Sequence, residues 1–236
     1  MSRLPVYGKF GVILTPGAGL RLGAAIQTPT ATTVREEWSH SGQTEFTDSR
    51  YDASASSPYG SDKYSFREPW RANFGLAWTL GQFAVISADY EMCDYSTMKF
   101  KRERFSDHHD YFEDINNEIK TIYGKSHMFR FGAEVKFGTV AVRGGYGLTK
   151  SPEKADVFGE PLPKMMTQNA SFGFGYASKG SFFADAAVRY CFATDEYFMP
   201  YDDYMFDAYG NLIAFAPEIL NTRSAWKVML TIGWRF

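Results

Sequence analysis

Counting back from Phe236, every second side chain is large and apolar: Phe236, Trp234, Ile232, Leu230, Val228, Trp226. The residues between them, Arg235, Gly233, Thr231, Met229, Lys227 and Ala225, are polar, small or flexible. A period of two sends these sets to opposite faces of a β-strand. One face then carries tryptophan at both ends of an aliphatic middle. A transmembrane strand needs about 9–11 residues, an apolar band toward lipid and aromatic girdles at the two interfaces. The ending predicts such a strand; the competing reading is the last strand of a soluble sandwich.

The pattern recurs along the chain in nine strand-like segments, at 7–14, 19–38, 64–79, 83–100, 126–137, 140–148, 169–177, 181–193 and the C-terminal stretch. Short turns at Thr15–Ala18, Leu80–Gln82, Phe137–Thr139 and Ser178–Gly180 alternate with long connections at Ser39–Asp62, Lys101–Lys125, Thr149–Thr167 and Thr194–Thr222. Within the second long connection, Asp107–Ile122 suits a short helix. Outer-membrane barrels have short periplasmic turns and longer extracellular loops, whereas a soluble sandwich has no reason to sort its loops by parity. The expected fold is therefore all-β, an antiparallel up-and-down transmembrane β-barrel, with residues 1–236 forming a single domain. Bacterial single-chain barrels have even strand numbers, and a nine-stranded sheet would leave open edges in lipid. Residues Met1–Tyr7 also lack a signal-peptide core. The expectation is a C-terminal portion of a larger barrel, or else a mature or engineered form.

Average composition argues the other way and is outweighed. Hydrophobic residues make up 44% and mean hydropathy is −0.32. No run of about 18 apolar residues exists, which excludes a membrane helix but not a barrel, whose strands give half their residues to a polar lumen. A net charge of −2 suggests no nucleic-acid partner. Cys93 and Cys191, on separate strands, are too few and too far apart for a disulfide framework or zinc site and are expected to be unpaired. No cofactor is expected.

Alternation assigns faces. Trp70, Phe74, Trp78, Phe131, Phe174, Tyr190, Trp226 and Trp234 are expected toward lipid. Arg71, Asn73, Asp89, Glu91, Arg130, Glu134, Arg143, Asp185, Arg189 and Lys227 are expected toward the lumen, as candidates for a permeation path. There an arginine can grip a carboxylate bidentately. For any single one of them, a cross-strand ion pair that staples a polar wall is the preferred reading. The longest connection carries Phe198, Met199, Tyr201, Tyr204, Met205 and Phe206. These are candidates for capturing an apolar ligand outside, because adaptable methionine and aromatic surface suits such a site. They are expected to pack as an ordered lid over the barrel mouth. Asp202, Asp203 and Asp207 lack EF-hand spacing, and the adjacent His108 and His109 suit a solvated loop. His40 and His127 have no evident serine or carboxylate partner, so no catalytic or metal site is expected.

Three stretches resemble one family. They are Gly19-Leu20-Arg21-Leu22-Gly23-Ala24-Ala25-Ile26-Gln27-Thr28-Pro29-Thr30, then Glu68-Pro69-Trp70-Arg71-Ala72-Asn73-Phe74-Gly75-Leu76-Ala77, then Ala88-Asp89-Tyr90-Glu91-Met92-Cys93-Asp94-Tyr95-Ser96. In order, spacing and the terminal Phe236 they resemble FadL/TodX-type outer-membrane transporters. That resemblance implies a fourteen-stranded barrel plugged by an N-terminal hatch, and passive uptake of long-chain fatty acids or other hydrophobic small molecules. It implies contact with outer-membrane lipid and lipopolysaccharide, and engagement of the barrel-assembly machinery through Phe236. The hatch and the kinked strand that opens a lateral exit have no counterpart in these residues. Glycine-rich strands and tyrosine-rich loops resemble a Bacteroidetes-type branch, some of whose members look like secretion-system partners. The alternative function is thus a non-transporting barrel that serves as scaffold or partner in protein secretion or surface display.

Overall fold

The computed structural model describes residues 5–102, 109–156, 159, 161–162, 164–198, 205–206, 209, 212–214 and 219–235. In chain order the first strands are β1 (Lys9–Gly17), β2 (Leu20–Gln27), β3 (Ala31–Trp38), β4 (Ser41–Thr44), β5 (Ala53–Ser56) and β6 (Gly60–Arg67). Then come β7 (Arg71–Leu80), β8 (Ala84–Asp94), β9 (Lys99–Arg102) and the helix α1 (His109–Ile122). The chain continues through β10 (Lys125–Phe137), β11 (Val140–Lys150), β12 (Met166–Ala177) and β13 (Phe182–Phe198). It finishes with β14 (Met205–Phe206), β15 (Leu212–Ala214) and β16 (Ile219–Trp234).

One nine-stranded sheet organises the molecule, in the order β1-β2-β7-β8-β10-β11-β12-β13-β16. Every neighbouring pair is antiparallel. The meander of nine strands is as expected. Among the described residues β1 and β16 are free edges and the sheet is open, as nine strands of a larger barrel would be.

The turns between hairpin partners are tight. At the β1–β2 turn Gly17, Ala18 and Gly19 all have positive φ, at 113°, 50° and 77°. A Cβ on Gly19 would lie 2.1 Å from the Thr79 carbonyl oxygen, so only glycine fits there. Trp78 Nε1 donates to the Ala18 carbonyl at 3.0 Å and ties this turn to the third sheet strand.

The ladder register keeps each cross-strand row on a single face. One face carries Phe10, Ile26, Phe74, Trp78, Phe129, Phe131, Phe174, Tyr190, Trp226 and Trp234. Opposed rings meet across the strands: Tyr90 with Phe129 at 4.9 Å, Tyr190 with Trp226 at 4.4 Å and Phe182 with Trp234 at 5.6 Å. Seven of the eight residues expected toward lipid share this face. Trp70 lies just before β7, outside the ladder. Among the described residues no protein layer covers the face: Trp226 and Leu230 are 71% exposed and Trp234 61%. The accessible surface totals 17409 Å², against roughly 11,000 Å² for a compact protein of this mass. A sheet this apolar needs lipid or another protein surface against it.

The second, third and fourth segments read from sequence are each interrupted. The second breaks at Thr28-Pro29-Thr30 and the third at Glu68-Pro69-Trp70. Proline has no N–H to give to a ladder, which ends the pairing there. The fourth breaks after Asp94, whose carboxylate accepts from Ser96 N and starts a 3₁₀ turn over Tyr95–Thr97. Beyond these breaks the chain forms a second sheet, β3-β6-β9, while β4 and β5 pair as a hairpin within the stretch read as a polar loop. The helix expected at Asp107–Ile122 is present as α1. It packs the buried Phe112 against Tyr64 and Phe100, on the sheet side that also carries Phe66, and its Ile119 is buried too. Asn116 clamps it in place. Its Oδ1 accepts from Phe100 N at 2.8 Å and its Nδ2 donates to Phe100 O at 2.9 Å, which satisfies both backbone groups of a residue on an edge strand. At the other end of the chain, β13 and β16 extend to Phe198 and from Ile219, and take in part of the segment read as loop.

Tyr64 in the second sheet donates its hydroxyl to Glu36 at 2.5 Å. That hydrogen bond, with burial adding to it, pushes the phenol up to about 12. An unfolded tyrosine ionises near 10, so the unfolded chain releases this proton first. Stability from the bond is therefore complete below about pH 10 and is lost as pH rises through about 12. Ultraviolet titration of the phenolate band should show a late-ionising component that shrinks by one tyrosine in Tyr64→Phe.

Candidate functional site: the charged wall of the sheet

The face opposite the aromatic one collects the charged residues. Period-two alternation places Arg71, Asn73, Asp89, Glu91, Arg130, Glu134, Arg143, Asp185, Arg189 and Lys227 all on it. They fall into three groups.

The first lies toward the long-connection end of the sheet. Arg130 lies opposite Asp89 in the β8–β10 register. It donates to Asp89 Oδ1 from Nε at 2.8 Å and from Nη2 at 2.5 Å, with Glu91 Oε2 at 3.2 Å from the same Nη2. Glu91 also accepts from Asn73 Nδ2 at 2.9 Å and faces Arg71 Nη1 at 3.7 Å. Two carboxylates and two guanidinium groups thus balance across three strands.

The second group is nearer the tight turns. Arg143 Nε donates to Glu134 at 2.5 Å, and Lys136 Nζ stands 3.2 Å from the same carboxylate. The other arm of Arg143 reaches Asp185 on β13, across the whole of β12. Gly175 makes that reach possible: a Cβ there would lie 2.5 Å from Asp185 Oδ1 and 3.0 Å from Arg143 Nη1. Half-exposed pairs of this kind contribute about 0–1 kcal/mol each, so their effect is to order the wall more than to stabilise it.

The third group is a pair of cations. Arg189 lies directly opposite Lys227 in the β13–β16 register. Both are exposed, and neither has a carboxylate partner among the described residues. Like charges directly opposite on a strand pair are destabilising. Their row runs through Ser171, Gly145, Gly132, Ser87 and Ala77 to Arg21, another cation. Small residues therefore leave an open floor between cations at its two ends. On the wall up to the bulge between Cys191 and Thr194, the described cations Lys9, Arg21, Arg71, Arg130, Lys136, Arg143, Arg189 and Lys227 outnumber Asp89, Glu91, Glu134 and Asp185 two to one. The net positive wall suits an anionic or amphiphilic solute.

The sequence did not point to a shallow concavity of about 450 Å³ on the aromatic side, lined by Phe10, Val12, Ala24, Ile26, Ala72 and Phe74. Its only sequence signal is small Ala24 and Ala72 among large neighbours. His127, one of the isolated histidines, lies on that aromatic side with Nδ1 2.7 Å from the Tyr90 hydroxyl. Cys93 and Cys191 are both free thiols. Of the expected capture residues, Met199, Tyr201 and Tyr204 lie outside the described residues, as does Phe236. Phe198 ends β13, and Met205 and Phe206 form β14 against β15; their side chains are likewise outside the description.

No family model matches the chain, and no curated protein matches it. Among solved structures, it is similar to the crystal structure of a Pseudomonas aeruginosa FadL homologue, with a TM-score of 0.53 and 14% identity. The match covers 93% of this chain and 49% of that one. The chain has a FadL-like fold. It spans about half the length of that neighbour, and at this identity the likeness is one of fold alone.

Gly175→Val should drive a branched side chain between Arg143 and Asp185, part their contact and cost about 1–3 kcal/mol. Gly144→Ala, where a Cβ meets nothing within 4 Å, should be close to neutral. Urea unfolding of the two variants in detergent micelles checks the difference.

Proposed function

We propose that the chain forms part of an outer-membrane β-barrel that lets hydrophobic small molecules, long-chain fatty acids among them, pass passively across the membrane. The observation that carries this reading is the division of one meandering sheet into an uncovered aromatic face and a charged face, on a FadL-like fold. Water does not tolerate the first face, and lipid does not tolerate the second. A barrel satisfies both by turning the aromatic side to lipid and the charged side inward. The edge groups of β1 and β16 require strand partners in a hydrocarbon layer, so further strands complete the ring. On this reading the short turns face the periplasm and the long connections face outward. The Phe198–Phe206 stretch receives apolar solute, and Arg189 with Lys227 holds an acidic headgroup on its way through. Lipopolysaccharide resists apolar solutes, so a route for them has to be supplied by protein. Phe236 serves the assembly machinery as a terminal aromatic signal. The fold is that of a transporter family, and no catalytic step is assigned to it.

Uptake of a labelled long-chain fatty acid by cells that carry or lack the intact gene tests this. Uptake should fall on deletion and return with the wild-type gene. Arg189→Ser with Lys227→Ser should slow uptake of the acid more than that of the matching long-chain alcohol. Unchanged uptake, with loss of other proteins from the cell surface, would establish the scaffold function in its place.

A further inference from the structure

We propose that the second sheet forms an electrostatic entry port, which draws anionic amphiphiles toward the lumen by their headgroups; this rests on the channel reading above. One register crosses the proline breaks. Gln27 pairs with Arg71 below them and Ala31 with Arg67 above, and Glu68 N donates to Thr30 O at 2.8 Å between. Strand alternation therefore carries the charged wall upward from Arg71 through Arg67 to Lys63. Arg35 stands opposite Lys63, Lys99 opposite Arg67 and Lys101 opposite Ser65, all on that same side. Glu37 answers Arg35 at 3.0 Å. Arg67, Lys99 and Lys101 are exposed and have no carboxylate partner among the described residues.

The opposite side of this sheet carries the other sign. Glu36 stands opposite Asp62, one position along from the Arg35–Lys63 pair, so alternation puts two acids behind two cations. The helix α1 packs on the acidic side, against Tyr64 and Phe100, and exposes Glu113, Asp114 and Glu118 with Lys120. Like charges facing each other across a strand pair destabilise it. This sheet has such pairs on both sides, and the result is a separation of charge across its own thickness. An anion near the module is repelled from the helix side and drawn to the other. On the channel reading that other side continues the wall turned inward, so the attraction leads into the lumen. Each step of four residues, from Lys63 to Arg67 and on to Arg71, spans about 13 Å. The cations thus stand about one screening length apart at roughly 0.1 M salt, and a headgroup between two of them feels both. A neutral amphiphile gains nothing from this arrangement. The port therefore favours fatty carboxylates, alkyl sulfates and similar anions over alcohols of the same chain length. Steering of this kind raises the association rate more than the affinity.

The test uses the intact protein in a neutral detergent. The probes are a long-chain fatty acid with a fluorophore on its tail and the matching alcohol. Stopped-flow fluorescence reads association at about 0.01 M and about 1 M salt, where charges are screened over roughly 30 Å and 3 Å. The wild-type rate for the acid should fall at least about tenfold between the two, and the rate for the alcohol should not change. In Arg67→Ser/Lys99→Ser/Lys101→Ser the low-salt rate for the acid should drop toward that for the alcohol, with dissociation unaltered. Arg67→Lys/Lys99→Arg/Lys101→Arg should restore the rate, and an unchanged alcohol rate in both variants shows that they fold. Arg189→Ser/Lys227→Ser should instead speed dissociation of the acid, which sets the port apart from the headgroup site lower on the wall. Equal low-salt rates for the acid in wild type and the triple serine variant would overturn the proposal. So would a salt dependence that survives in full in that variant. Loss of uptake on gene deletion, together with either of those results, would leave the channel reading standing alone. Unchanged uptake on deletion would remove the channel reading and the port with it.

Discussion

Everything in this molecule depends on a single sheet that keeps its rows in register from β1 to β16. Because side chains alternate with a period of two, a slip of one residue in any strand would carry its aromatic side chains onto the charged wall and its charges onto the aromatic side. The cost of either misplacement in lipid is several kcal/mol for each charge. On the membrane reading proposed above, that penalty, and not a conventional core, specifies the register. Few side chains are buried among the described residues, none of them fully, and of those few Thr30, Phe112, Ile119, Ala155 and Met165 lie outside the main sheet.

The charged wall shows how a sheet without a core still orders its side chains. Arg130 meets a carboxylate directly opposite, the shortest connection that cross-strand geometry offers. Arg143 does something less common in passing over β12 at Gly175 to join β11 with β13. The glycine contributes by what it omits, since any side chain there would occupy the path of the contact. Arg189 and Lys227 stand outside this pairing, as do Lys9 and Arg21 toward the other edge. What sets Arg189 and Lys227 apart is that they directly face each other across β13 and β16.

Much of this was legible in the sequence, for reasons specific to barrels. The alternation in Trp226–Trp234 gave the faces of β16, and the parity of long and short connections gave the meander. Both signals are local and need no knowledge of distant contacts. The interruptions were less legible. Pro29 and Pro69 are visible punctuation, yet the apolar alternation runs through them, and period alone reads one long strand where there are two. That β3, β6 and β9 then find one another and take a helix is a matter of packing, which periodicity does not report. The Arg143–Asp185 contact was equally hidden, because it joins strands that are not neighbours. Arg189 and Lys227 were each recognisable as inward charges; that they stand opposite each other follows only from register.

The breaks at Pro29, Pro69 and Asp94 have a consequence for how this protein can change. They end three adjacent strands at nearly the same level and begin a separate sheet with its own twist, helix and packing. On the barrel reading proposed above, the module beyond the breaks faces outward and its sequence can change with less constraint than the wall beneath. Divergence between relatives should accordingly be steep above the breaks and shallow below them.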